Sequence, residues 1–168
     1  AEAITAATEA GSERIYLVDP WVTVYDTATA SSVLEPASAR VAGIIVRTDN
    51  ELGFRHSPSN KSIDGITGLG RPVVHERSNP NAQTNLLGAA NVSTIIHNNG
   101  FRLWGNRGTG QEPLLAFLSA VRTYDAIDAS IERALDWASD KPISSQLVLD
   151  VGDSINAYLR GLVARGAL

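Results

Sequence analysis

The Asn-Gly pair at positions 99 and 100 constrains the fold of this chain more than any other feature. It sits within Asn91–Arg107, NVSTIIHNNGFRLWGNR, between two short runs of β-branched and aromatic residues. Asn-Gly in that setting is the strongest short-range signal for a two-residue hairpin turn, so the stretch is expected to form a β-hairpin. With Asn99 and Gly100 in the turn, Asn98 pairs with Phe101, His97 with Arg102, Ile96 with Leu103 and Ile95 with Trp104, because the loop fixes antiparallel register. Thr94, Ile96, Phe101 and Leu103 then share one face, and Ile95 and Trp104 the other. A two-stranded ribbon with apolar residues on both faces is marginal in water. The hairpin must therefore join a larger sheet or lie beneath helices.

The rest of the chain supplies both. Ala1–Ala10 is alanine-rich, with Gly11 where a helix would be capped. Arg14–Val18 reads as a strand stopped by Asp19-Pro20, and Trp21–Tyr25 alternates with period two. Pro36 is placed to open a helix that Gly53 closes. The glycines at 65, 68 and 70 have neither the dinucleotide spacing nor a following GK[ST], and are read as turn residues. Pro72–Val74 reads as a short strand, Glu76–Gln83 as a polar loop and Leu114–Val121 as a strand. From Thr123 the period becomes helical, with Ile127, Ile131, Ala134, Leu135 and Ala138 on one stripe. Pro142 breaks that pattern, and Ser144 can cap a last helix carrying Val148, Val151, Ile155, Leu159 and Leu162. The expected fold class is α/β (α+β): a mixed sheet containing the hairpin at 91–107, flanked by helices near 1–10, 36–52, 123–139 and 144–164. Residues 1–168 are read as a single domain.

Chemistry is harder to find. The histidines at 56, 75 and 97 form no HExxH or i,i+4 pair, and no GxSxG elbow occurs. No catalytic residue, cofactor site or metal site is expected. Fourteen Lys and Arg against eighteen Asp and Glu, with no basic cluster, argue against a nucleic-acid surface built on phosphate contacts. No apolar run approaches the length of a membrane span. With no cysteine there is neither a disulfide nor a thiolate ligand, and with no methionine Ala1 is expected to be an internal position of a longer protein. Asp125, Asp128, Glu132, Asp136 and Asp140 follow one another up the helix at spacings of three and four, where like charges repel. Such a stripe is either a solvated face or a docking surface for a basic partner.

Four segments, SPSNKSIDGITGLGRPV (57–73), NLLGAANVSTIIHNNGFRLWGNR (85–107), AVRTYDAID (120–128) and WASDKPIS (137–144), occur in that order. Together the chain resembles the conserved C-terminal region of the tail sheath proteins of contractile-tailed phages and R-type bacteriocins. The resemblance implies a structural subunit, not an enzyme. Such subunits polymerise as stacked hexameric rings around a tail tube and contract to drive the tube through a cell envelope. The implied partners are other sheath subunits, the tail tube protein and the baseplate. The implied location is the virion tail or bacteriocin particle, assembled in the host cytoplasm. Family members are longer at both ends, so this chain resembles a fragment of the sheath core without its terminal arms, expected to be monomeric alone. In the family those arms add strands to a neighbour's sheet. Val92, Thr94, Ile96, Phe101, Leu103 and Trp104 are the candidate acceptor residues, and Asp125, Asp128, Glu132 and Asp136 the candidate contacts to the tube or a neighbour. Two alternatives stay open: a generic phage structural module, and an enzyme domain using His75 or His97.

Overall fold

A computed structural model describes residues 2–168. They divide into two compact units, one ending at Arg122 and the other running from Thr123 to Leu168.

The first unit holds two three-stranded sheets. In the mixed sheet, β1 (Val18–Asp19) pairs parallel with β5 (Ser93–His97), which pairs antiparallel with β6 (Phe101–Trp104). In the antiparallel sheet, β2 (Val22–Asp26) lies between β3 (Ser31–Glu35) and β4 (Gly68–Leu69). α1 (Glu2–Ala10), α2 (Ser38–Leu52) and α3 (Gln83–Ala89) complete this unit, with α4 (Leu118–Ala134) starting at its end. The core gathers Val22 from β2, Ala37, Val41 and Ile44 from the α2 region, Ile63, and Ile95 and Leu103 from the hairpin. Val41, Ile44 and Thr48 fall three and four apart on the buried face of α2, which ends at Gly53 with φ 96°. A second cluster sets Ala7 of α1 against Leu87 and Val92.

The hairpin exists, but its register is one residue from that expected. His97 pairs with Phe101, Ile96 with Arg102, Ile95 with Leu103 and Thr94 with Trp104. Asn98 joins Asn99 and Gly100 in a three-residue loop, donating its N–H to the Gly100 carbonyl at 2.9 Å. Asn99 and Gly100 still have the positive φ angles, 51° and 95°, that made the pair conspicuous. Register decides which side chains share a face, and this one puts Ile95 and Leu103 together in the core. The apolar pairing outweighs the shorter turn.

Other elements also differ from the sequence expectation. Of Arg14–Val18 only Val18 enters a ladder, because the preceding backbone is held by a glycine loop instead: Thr109 donates its N–H to the Ile15 carbonyl at 3.0 Å. Pro72–Val74 forms no strand. Val74 instead flanks α3, accepting from the Thr84 N–H at 3.3 Å and donating to Gln83 Oε1 at 3.2 Å. Leu114–Val121 is not a strand: Glu112 caps a 3-10 turn at Pro113–Leu115, and α4 begins at Leu118, five residues before the expected start. A short apolar run fits a buried helix as well as a strand.

The second unit consists of α4 from Thr123 onward, a 3-10 turn at Asp136–Ala138 and α5 (Ser145–Ala164). Ile131, Ala134 and Leu135 of α4 face Ser154, Ile155 and Tyr158 of α5. Ser144 caps α5, its hydroxyl accepting from the Leu147 N–H at 3.1 Å.

Candidate assembly surfaces

The hairpin residues expected to accept a partner strand are mostly committed to their own fold. Val92, Thr94, Ile96 and Leu103 are buried, while Phe101 and Trp104 are half-buried. The β6 edge is occupied by 60–63: Asn60 donates to the Leu103 carbonyl at 2.6 Å, Leu103 to the Lys61 carbonyl at 3.0 Å, and Ile63 to the Phe101 carbonyl at 2.9 Å. On the other side β1 pairs only with Ser93 and Thr94 before Asp19-Pro20 turns the chain away. Beyond β1, Ile95 and Ile96 are fully buried and only His97 of β5 is exposed, so the hairpin offers no open edge long enough for a partner strand.

A second open edge was not anticipated. All five residues of β3 are exposed, and β3 is the edge strand of its sheet. It follows β2 through a turn built by Asp26, whose carboxylate accepts from the Ala28 N–H at 2.9 Å and the Thr29 hydroxyl at 2.8 Å. Those bonds, the Ala28 N–H first, hold the Asp26 carboxyl below its usual range. An Asp opening a small polar run between two β-rich stretches is the signal that could have revealed the β2–β3 hairpin.

The acidic residues distribute along α4 and the turn after it. Asp125 is half-buried and takes part in an interaction, whereas Asp128, Glu132 and Asp136 are exposed. Asp140 continues the series at φ 61°.

The histidines do not converge on a reaction centre. His75 packs edge-on to Trp104 with ring centroids 4.8 Å apart, and its Nδ1 lies 3.2 Å from Thr84 Oγ1. His97 packs against Phe101 at 5.0 Å. Among the described residues no three His, Cys, Asp or Glu side chains cluster as metal ligands, and no helix is long and apolar enough to cross a membrane.

Among the described residues the first unit has at least two concavities. One cleft is lined by Glu2, Asp19, Arg71 and Leu86, with Asp19 and Arg71 paired to each other. The other, of 280 Å³, lies between the α3 end and the exit of β6, lined by Asn85, Val92, Trp104, Asn106 and Arg107.

Comparison with known proteins places the chain in a family. The chain is 43% identical to a prophage major tail sheath protein of Pseudomonas aeruginosa over 99% of its own length and 43% of that protein's. It is 33% identical to the tail sheath protein of Escherichia phage P2 over 91% of its length and 39% of the relative's. The chain thus spans about two fifths of the curated relatives it matches. Among solved structures, the helical sheath of the anti-feeding prophage in its contracted state superposes with a TM-score of 0.80 at 26% identity, covering 93% of this chain and 42% of that one. The model of the phage tail sheath protein central domain matches residues 1–109, and the chain belongs to that family of tail sheath proteins.

Proposed function

We propose that this chain is the core portion of a contractile tail sheath subunit, which polymerises as stacked hexameric rings around a tail tube and contracts to drive the tube through a cell envelope. The observation that carries this is its likeness, over nearly its whole length, to a subunit of a contracted helical sheath. The role is mechanical, and the partners are other sheath subunits, the tube protein and the baseplate. The working location is the tail of a virion or of a bacteriocin-like particle, assembled in the host cytoplasm.

One feature supports a strand-exchange mode of connection. The exposed edge strand β3 offers its free edge to an incoming strand. Val92, Thr94, Ile96, Phe101, Leu103 and Trp104 are proposed to serve the subunit interface by holding the hairpin rigid. Asp125, Asp128, Glu132 and Asp136 are proposed to meet the tube or an adjacent subunit. The single domain of residues 1–168 is proposed to act as the fixed core between connecting arms, and without those arms to remain monomeric.

The test is negative-stain electron microscopy of the full gene product expressed without other tail components. Tubular polymers of uniform width are expected. Dispersed particles in the presence of added tail tube and baseplate would overturn the reading.

A further inference from the structure

We infer that the tip of the β5–β6 hairpin is a site of spontaneous covalent modification, at which Asn99 closes onto the backbone nitrogen of Gly100, loses ammonia and is opened by water to aspartate or isoaspartate. The inference concerns this loop alone and stands apart from the sheath reading. Asn99 is the only asparagine of the chain that glycine follows. Asparagine is a thermolabile residue, and a glycine after it leaves the attacking nitrogen unshielded by any side chain.

The fold leaves this one peptide unit open. Asn98, Asn99 and Gly100 are exposed, and a Cβ on Gly100 would meet nothing within 4 Å, so the space around the tip is clear. Asn98 is pinned on both sides: it donates its N–H to the Gly100 carbonyl at 2.9 Å, and its carbonyl accepts from Arg102 Nε at 3.1 Å. By contrast, the peptide joining Asn99 to Gly100 carries no hydrogen bond among the described residues, and neither does the Asn99 carboxamide. That peptide is the one that must rotate to bring the nitrogen against Asn99 Cγ. Asn99 sits in the left-handed region at φ 51°, which a side chain occupies at some cost, so local preference does not oppose the rotation. Asp64-Gly65 is the one other Asn or Asp before glycine, and there the side chain is engaged: Asp64 accepts from Arg47 Nη1 at 2.7 Å. A paired, ionised carboxylate is a poor electrophile.

The step needs only water. A bond forms between Gly100 N and Asn99 Cγ, the Cγ–Nδ2 bond breaks, and ammonia leaves with the proton of the Gly100 N–H. Water then adds to either carbonyl of the resulting succinimide. Addition at the side-chain carbonyl gives aspartate, and addition at the backbone carbonyl gives isoaspartate, whose main chain runs through Cβ. Both products place a carboxylate, ionised at neutral pH, where the chain had an amide. Isoaspartate also lengthens the backbone of a three-residue loop closed by His97 and Phe101. The damage is confined to the tip, because Ile95 and Leu103 further down the ladder are locked in the core.

The test is to incubate the folded chain in mildly alkaline buffer, beside the same chain unfolded in urea, and to follow ammonia release, peptide mass and isoaspartate by methyl transfer from an L-isoaspartyl methyltransferase. Conversion is expected first at Asn99, at a rate within about tenfold of that in the unfolded chain and rising with pH as the Gly100 nitrogen loses its proton. Asn99→Gln, which would have to close a larger ring, should abolish it, and circular dichroism should show that variant folded as the parent because the side chain is exposed. Hydrogen exchange of the aged protein should be faster at the Asn98 N–H and unchanged at Ile95 and Leu103. Four outcomes overturn the inference: a folded chain slower than the unfolded one by more than that factor, isoaspartate arising first at another residue, ammonia release undiminished by Asn99→Gln, or exchange at Leu103 rising with that at the tip.

Discussion

Ile95 and Leu103 stand directly opposite one another across the β5–β6 ladder, and neither exposes any surface. The pair joins the hairpin to the α2 face that carries Val41 and Ile44. Leu103→Ala leaves a cavity in the centre of this cluster and should lower unfolding free energy by about 2–5 kcal/mol, read from the urea midpoint at constant slope. Leu34→Ala, on the exposed strand β3, is the control and should shift stability by less than about 1 kcal/mol.

Gly105 and Gly100 both have positive φ, at 136° and 95°, yet they should respond differently to alanine. A Cβ on Gly105 would lie 2.3 Å from Ser93 Oγ and 3.0 Å from Ser93 Cα, whereas a Cβ on Gly100 meets nothing within 4 Å. Gly100→Ala should therefore cost about 1 kcal/mol from backbone strain alone. Gly105→Ala adds a steric clash against β5 and should cost about 3 kcal/mol or more by the same denaturation measurement.

Ser144→Ala removes the hydroxyl that accepts from the Leu147 N–H and leaves the first turn of α5 without its cap. The expected loss is about 1 kcal/mol. Hydrogen exchange should localise it: amides of the first α5 turn exchange faster, while those of β5 and β6 do not change.

α1, α2, α5, most of α4 and the hairpin turn were legible because their signals are local, whereas α3 and the first turn of α4 were not. Pro36 and Gly53 bracket α2, Ser144 caps α5, and Asn99-Gly100 marks the turn. What failed was decided by distant partners. The hairpin register depends on Ile95 and Leu103 reaching the same core as Val22 and Ile44, which no local spacing reveals. Ile15 lies in a run of strand composition, but its carbonyl accepts from Thr109 of a distant glycine loop, where a Cβ on Gly108 would lie 2.8 Å from the Glu13 carbonyl oxygen. The candidate surfaces divide in the same way. The acidic stripe could be read from helical spacing, whereas the cavity joins Asn85, Trp104 and Arg107 from separate elements and has no sequence signature.

Tyr16 links that glycine loop to β5 and gives the fold a pH dependence at its alkaline end. Its hydroxyl donates to the Gly105 carbonyl at 2.8 Å. Burial disfavours the phenolate and raises its pKa to about 12, an effect partly opposed by a hydrogen bond with the Ser93 side chain. In the unfolded chain the phenol titrates near its usual value of about 10. Below pH ~10 the phenol is protonated in both states, and its contribution to stability is fully present. Between about 10 and 12 the unfolded state releases the proton while the folded state keeps it, so stability falls as pH rises through this window. Two units at ~1.36 kcal/mol each set an upper scale of about 2–3 kcal/mol for the loss. Tyr16→Phe should begin about 1 kcal/mol less stable at neutral pH, since the Gly105 carbonyl loses its donor. It should then decline less steeply than the parent between pH 10 and 12. Urea midpoints of both proteins across that range decide the matter, because every other alkaline titration is common to the two. Parallel curves would mean that the Tyr16 phenol ionises alike in the folded and unfolded states.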